Sequence, residues 1–202
     1  AASITNTSSI VHYPVELCGN RGQVHLPKIF LINATSLVKT GAVEALQTDI
    51  CTQETDVIIV CETWFMHNMP DSMFHIKGFK LYRVDRLRRK GGGVCIYVSD
   101  RYDSKQLNLC DNCCCELELL CIQCNISSNE SVSIIAVYHP PRSIYGEALL
   151  RDAIAEYYDI IQTNYPRSFV ILGGDLNKFD TRFITEDLGL YLLMTGPTHG
   201  KN

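Results

Sequence analysis

The residues of this chain best equipped for chemistry are polar groups standing at the ends of short apolar runs. Asn33 follows Lys28-Ile-Phe-Leu-Ile, Glu62 follows Asp56-Val-Ile-Ile-Val-Cys, Tyr138 closes Val132 to Val137, and Asp175 and Asn177 follow Ser168-Phe-Val-Ile-Leu-Gly-Gly. Carboxylate and amide oxygens gathered at one rim are hard donors suited to Mg²⁺, with Mn²⁺ as the alternative ion. A tyrosine and a further aspartate beside them suit the orientation of a phosphate and the activation of a water. If the chain stays extended through Asn177, Asp175 and Asn177 point the same way and address one small target together. The alternative at this spot is an Asx-turn that merely closes a strand.

Each apolar run is continuous rather than alternating, the pattern of strands covered on both faces. Strands are expected at 28–33, 56–63, weakly at 74–83, and at 92–99, 116–124, 132–138 and 168–177. Between the first two, Ser36 is a plausible N-cap for a helix carrying Leu37, Val43, Leu46 and Ile50, although Gly41 interrupts it. The clearest helix runs over 144–165, with Leu149, Leu150, Ala153, Ile154, Tyr157, Ile160 and Ile161 on one face. Polar residues at the strand ends of such an alternation belong to an α/β sheet carrying its site at one rim. The Ser/Thr-rich stretch 1–26 shows no periodicity and reads as a loose leader to a single domain over 27–202.

A chain of 202 residues that is 46% hydrophobic supports one substantial core. Its net charge of -4 argues against wholesale polyanion binding, so any nucleic-acid surface must be a local basic patch. The one dense patch is Arg83-Val-Asp-Arg-Leu-Arg-Arg-Lys90, with five cations in eight residues, followed by Gly91-Gly-Gly93. A strand follows those glycines, so they are not a dinucleotide fingerprint. A solvated hairpin tip and an edge touching phosphate explain the patch equally well, and on the second reading Arg88, Arg89 and Lys90 are the phosphate contacts, with Arg142, which closes Tyr138-His-Pro-Pro-Arg142, a further candidate. No apolar run approaches the ~18 residues of a membrane span and no signal-peptide core is present, so an intracellular protein without a membrane partner is expected. The ten cysteines are scattered through strand-like runs, which favours reduced core thiols. Cys110/Cys113 and Cys121/Cys124 have zinc-like CxxC spacing, but the second pair lies within a strand-like run.

The same polar residues, with the wording around them, resemble the endonuclease/exonuclease/phosphatase superfamily of DNase I-like fold, and more closely the endonuclease domain of LINE-type non-LTR retrotransposons. The resemblance is carried by Leu31-Ile-Asn-Ala-Thr-Ser36, Val60-Cys-Glu-Thr-Trp64, Arg89-Lys-Gly-Gly-Gly-Val-Cys-Ile-Tyr97, Val137-Tyr-His-Pro-Pro141 and Gly173-Gly-Asp-Leu-Asn177, in the family's order. It implies a two-sheet β-sandwich flanked by helices, of α/β (α+β) class, with the family's last strands missing. It implies a Mg²⁺-dependent domain that nicks DNA to expose a 3′-hydroxyl for reverse transcription, in the nucleus when chromosomal DNA is the target, with a reverse transcriptase domain of the same polyprotein as partner. Carried over, Glu62 is the principal metal ligand and Asn33 its neighbour. Asp175 activates the attacking water, Asn177 orients the phosphate, and Tyr138 supports the developing charge. Family members also carry an aspartate and a Ser-Asp-His motif after the loop matching Gly196-Pro-Thr-His199, and this sequence contains neither, so nicking is expected to be impaired. His199 belongs to that earlier loop and is a poor substitute. Two alternatives remain: a catalytically dead remnant that binds DNA or Mg²⁺, and a phosphatase or abasic-site nuclease of the same superfamily.

Overall fold

In the computed structural model, residues 26–108 and 116–191 are described. Two four-stranded mixed sheets pack face to face. The first contains β1 (Ile29–Asn33), β2 (Val57–Cys61), β3 (Phe79–Val84) and β4 (Val94–Ser99), in the order β1-β2-β4-β3. The second contains β5 (Ser104–Leu107), β6 (Glu118–Asn125), β7 (Ser131–Tyr138) and β8 (Ser168–Asp175), in sequence order. Helix α1 (Ala42–Gln53) covers the outer face of the first sheet, and α2 (Glu147–Asn164) that of the second. A short α3 (Arg182–Glu186) follows β8. The expected sandwich flanked by helices is the architecture found.

The unbroken apolar runs have a direct cause. Ile59, Cys61, Ile96, Ile122, Ile134 and Ile171 fill the space between the sheets. Their neighbours along each strand turn outward, Ile58, Val60 and Tyr97 toward α1, and Cys121, Val137 and Leu172 toward α2. Both faces of each central strand are therefore buried, and there is no solvent side on which polar residues could alternate. Among the described residues no helix is long and apolar enough to cross a membrane.

Several expected boundaries move. The first helix begins at Ala42 with Gly41 as its N-cap, not at Ser36. Residues 34–37 are held instead along the end of β2, with Ala34 N–H donating to Cys61 O (2.9 Å), Ser36 N–H to Glu62 O (2.8 Å) and Leu37 N–H to Thr63 O (2.9 Å). Ser36 itself has φ 102°, outside the extended conformation that an N-cap takes. The weak strand expected at 74–83 begins only at Phe79, because Asp71–Phe74 forms a 3₁₀ turn that stacks Phe74 on Phe65 at 3.7 Å. Strand β5 has no apolar run to announce it. On α2, Leu149 is exposed rather than part of the buried face. The leader read over 1–26 lies outside the described residues apart from Leu26, as do Cys110, Cys113 and His199.

Parallel pairing of β7 with β8 sets Val137 opposite Gly174. Gly174 has φ +154°, and a Cβ there would overlap the Val137 carbonyl oxygen. Only glycine lets the two strands approach so closely. Gly174→Ala is expected to cost about 2–4 kcal/mol of stability, from backbone strain together with displacement of β7. Urea denaturation of the two proteins checks this, and a loss under about 0.5 kcal/mol contradicts the close approach.

Candidate active site

At one end of the sandwich the inter-sheet core turns polar. Register places Asn33 beside Cys61 in the first sheet, and Glu118, Tyr138 and Asp175 side by side across β6, β7 and β8 in the second. β1 and β2 run parallel, as do β7 and β8, so four carboxyl-terminal strand ends meet here. Asn33, Glu118, Tyr138 and Asp175 are all buried, while Glu62, one residue beyond β2, is half-buried.

The contacts within this layer link the two sheets. Asn33 Nδ2 donates to Glu62 Oε1 (3.0 Å) and to Asp175 Oδ2 (2.9 Å), while its Oδ1 accepts from Thr35 N–H (3.0 Å), which sets the orientation of the amide. Tyr138 donates its hydroxyl to the same Glu62 Oε1 (3.0 Å). Burial first, then the Glu62 charge, push the Tyr138 phenol well above its usual range, so it stays protonated and acts as a donor. Alternation along β2 would turn Glu62 away from Asn33 and Tyr138. Its left-handed backbone, φ 56°, brings the carboxylate back to them. Thr35, Ser36, Trp64 and Asn177 also have positive φ, so five such non-glycine residues lie in the loops at this rim. Conformations of that kind persist only where surrounding contacts over-determine them, and they gather at functional sites.

Asn177 departs from expectation. β8 ends at Asp175, and Asn177 has φ 48°, so the two side chains do not project from one extended segment. Asn177 N–H donates to Asp175 Oδ1 (3.2 Å), which is the Asx-turn alternative, and its side-chain Nδ2 donates to His139 O (2.8 Å). It sits exposed at the mouth of the site, holding the β7 end to the β8 end. His139 donates its backbone N–H to Asp175 O (2.8 Å) and places its ring Nδ1 3.2 Å from the Tyr145 hydroxyl. Burial lowers its pKa.

Two charged residues that sequence reasoning passed over stand behind the site. Glu118, with 3% of its side chain exposed, accepts from Arg86 Nε (2.7 Å) and from Gly93 N–H. Arg86 Nη2 lies 2.6 Å from Glu118 Oε1 but off the hydrogen-bonding direction, and has no hydrogen-bond partner among the described residues. The guanidinium sits over the Tyr138 ring, 5.6 Å from its centroid. A Cβ at Gly92 would collide with both members of the pair, so the triple glycine exists in part to let the hairpin close over them. The sequence did carry a sign of this: a carboxylate inside the apolar run Glu116 to Cys124 requires a cation somewhere.

The basic patch is correspondingly not one solvated tip. Arg83 and Arg86 turn inward, Arg83 donating to Asp71, Asp85 and the carbonyls of Met66 and Met69. Arg88 pairs with Glu116 at 3.1 Å. Arg89 and Lys90 are exposed and make no hydrogen bond or ion pair among the described residues. Arg142 lies exposed on the turn after β7 and makes no hydrogen bond or ion pair among the described residues. Cys121 and Cys124 face opposite sides of β6, toward α2 and toward the inter-sheet core, so they cannot share a zinc ion. Burial pushes both thiols up, Cys124 to about 12.

Among the described residues no three His, Cys, Asp or Glu side chains gather closely enough to enclose a metal. The donors still fit a hard divalent ion of another kind. Glu62 Oε1 is engaged twice, while Oε2 has no hydrogen bond among the described residues, and Asp175 reaches the same Asn33 amide. Mg²⁺ is commonly held by one or two carboxylates, with waters and substrate phosphate completing its shell.

No protein-family model matches the sequence, and no curated protein matches it. Solved structures do resemble the fold. D. rerio TDP2 in complex with a single-strand DNA product matches with TM-score 0.53 at 14% identity over 78% of this chain. An AP endonuclease from Archaeoglobus fulgidus matches with TM-score 0.51 at 18% identity over 75%, and the human Nocturnin catalytic domain with a bound sulfate anion with TM-score 0.54 at 12% identity over 79%. The chain spans 63%, 57% and 70% of those three structures respectively. What this chain shares with them is the fold, two packed mixed sheets of the DNase I-like type.

Burial raises the Glu118 carboxyl above its ordinary value, while Gly93 N–H and Arg86 hold it down. A carboxyl with a raised folded pKa contributes stability that is present below the unfolded pKa and is lost as pH rises through the folded value. Removing Arg86 raises it further, so Arg86→Met should cost about 3–5 kcal/mol at neutral pH and less in acid. The additional change Glu118→Leu should recover most of the loss. Denaturation at about pH 5 and about pH 7.5 checks both, and a pH-independent loss for Arg86→Met would remove the pair from this role.

Proposed function

We propose that this chain is a metal-dependent phosphodiesterase domain that nicks DNA, of the kind that primes reverse transcription in non-LTR retrotransposons. The observation that carries the reading is the convergence of Glu62 and Asp175 on the Asn33 amide at the joined ends of two sheets. The retrotransposon part rests on the motif resemblance alone, with DNA as substrate and a reverse transcriptase of the same polyprotein as partner. The TDP2 structure bound to a single-strand DNA product and the AP endonuclease share this fold and lend support to nucleic-acid phosphoester chemistry.

Mg²⁺ or Mn²⁺ bound through Glu62 would supply a Lewis acid at a phosphate oxygen. The chain's own groups do the rest. Asn33 fixes both carboxylates by spending one amide proton on each. Tyr138, held protonated, orients Glu62 and offers a dipole where negative charge builds up on the phosphate. Water attacks phosphorus and loses its proton to the Asp175 carboxylate, and the bond to the 3′ oxygen breaks, that oxygen taking a proton from solvent. The products are a 3′-hydroxyl and a 5′-phosphate. Asn177 keeps the β7 and β8 ends joined at the mouth. Arg89 and Lys90 supply local positive charge on a chain of net charge -4.

Glu62→Gln should weaken Mn²⁺ binding by calorimetric titration more than Asn33→Ala does, because the carboxylate is the anionic ligand. Nicking of supercoiled plasmid should be abolished by EDTA. Glu62→Gln and Asp175→Asn should each lower it by ~10³-fold or more, and Tyr138→Phe by ~10²-fold. Metal binding without any nicking would favour the binding remnant. Phosphate release from small phosphoesters, or cleavage confined to abasic sites, would favour the other members of the superfamily.

A further inference from the structure

Beside the polar rim lies a groove of about 590 Å³, between the loop after β1 and the β3–β4 hairpin. Trp64 is its floor. Two residues beyond Glu62, it is fixed by its backbone N–H donating to Gly92 O (2.8 Å) and by a left-handed φ of 61°. One edge of the indole rests on Gly91, where a Cβ would lie 3.3 Å from Nε1. The ring nevertheless remains 39% exposed, flanked by exposed Met66 and Leu87. Large aromatic side chains are normally buried, so a rigidly held and half-open indole is a platform awaiting a flat partner.

Charge decides what kind of partner. The residues lining the groove include Lys39, Arg88, Arg89 and Lys90 and no Asp or Glu. Lys39 Nζ lies 5.9 Å from the indole centroid, and Arg89 and Lys90 have no ionic partner among the described residues. Arg86 lines the groove and also stands over Tyr138, so the groove runs on to the polar rim. A ligand that is flat and apolar at one point and anionic on either side is a nucleotide within a chain. In a duplex the base faces are already stacked, and only phosphates could reach these cations. An unpaired base can lie on the ring.

We propose that this groove binds single-stranded nucleic acid, with an unpaired base stacked on Trp64 and the flanking phosphates held by Lys39, Arg89 and Lys90. This deepens the functional reading and rests on it only for the continuation of the strand to Glu62. Stacking strength is tolerant of base identity, so the groove selects for unpaired structure and not for sequence.

Trp64 is the only tryptophan in the chain, so its fluorescence reports the event directly. The full 202-residue chain is titrated in EDTA, without turnover, with a short oligothymidylate, with the RNA of the same sequence and with a blunt DNA duplex. Both single strands should quench the emission saturably, and the duplex should not. A preference between DNA and RNA identifies which source the groove takes, and equal binding means that it reads only their shared chemistry. By anisotropy of labelled oligomer, Trp64→Ala should weaken single-strand binding about 5- to 150-fold and Trp64→Phe much less, since a phenyl ring keeps a stacking face. Replacing Arg89 and Lys90 together with Ala should flatten the salt dependence by about 1.4 logarithmic units. Absence of quenching, equal quenching by duplex, or unchanged binding by Trp64→Ala each overturns the proposal. If circular dichroism finds Trp64→Ala unfolded, wild-type quenching together with the Arg89/Lys90 salt slope decides it. The titration in EDTA proceeds without turnover, so loss of stacking is read separately from loss of hydrolysis.

Discussion

Two carboxylates drawn into one end of an apolar sandwich repel each other and lose solvation, and the fold answers this with a single neutral amide. Asn33 gives one proton to Glu62, from the first sheet, and one to Asp175, from the second. It cannot be a cation without cancelling the negative charge that a metal or a phosphate site needs, and it cannot be apolar without stranding both acids. The amide is itself fixed from the far side by Thr35, whose φ of 46° belongs to the loop stitched along the end of β2. Removal of that loop's backbone contacts would release the amide, and with it the spacing of the two acids. Sheet packing therefore sets the site geometry: Glu62 and Asp175 lie together only because the two sheets stay in register at this end.

A second layer of charge supports the first. Glu118 occupies the same cross-strand row as Tyr138 and Asp175, and unopposed it would add a third negative charge to a dry layer. Arg86 enters from the β3–β4 hairpin and neutralises it, and the same guanidinium lies against the Tyr138 ring. The hairpin can close that far only because Gly92 has no side chain. Positive charge on Arg86 thus confines the effect of Glu118 to the layer behind the site, leaving Glu62 and Asp175 as the acids that face the loops.

Much of this was legible in the chain. Buried runs ending in polar residues located β1, β2, β7 and β8, since a strand covered on both faces has to be apolar throughout and its first polar residue marks where cover ends. Asn33, Glu62, Tyr138 and Asp175 are all such residues, and the structure brings them into contact. The shared direction expected of Asp175 and Asn177 fails because periodicity cannot reveal that a strand stops two residues early in a left-handed turn. Ser36 has the chemistry of a cap, yet its backbone is claimed by a neighbouring strand 26 positions further on, through Glu62 O, and no local signal reports such a claim. Strand β5 lacks an apolar run and exists because β6 offers it an edge. The pairing of Arg86 with Glu118 spans 32 residues and was hidden among neighbouring cations of equal apparent standing.

That division among the cations bears on how the rim can engage a polyanion. Of the five in Arg83 to Lys90, two are spent inside the protein and a third on Glu116, so the charge facing solvent is far smaller than the composition suggests. Counterion release by the remaining pair, with Lys39, amounts to about three phosphates, too few for tight nonspecific binding by charge alone at physiological salt. Affinity must then come from contacts that salt does not screen. Stacking is such a contact, and the exposed ring at Trp64 is fixed at the junction of the loop that carries Glu62 and the hairpin that carries the free cations. A site organised in this way gains more from strand opening near the reacting phosphate than from a longer duplex contact, because only opening presents a base to the ring.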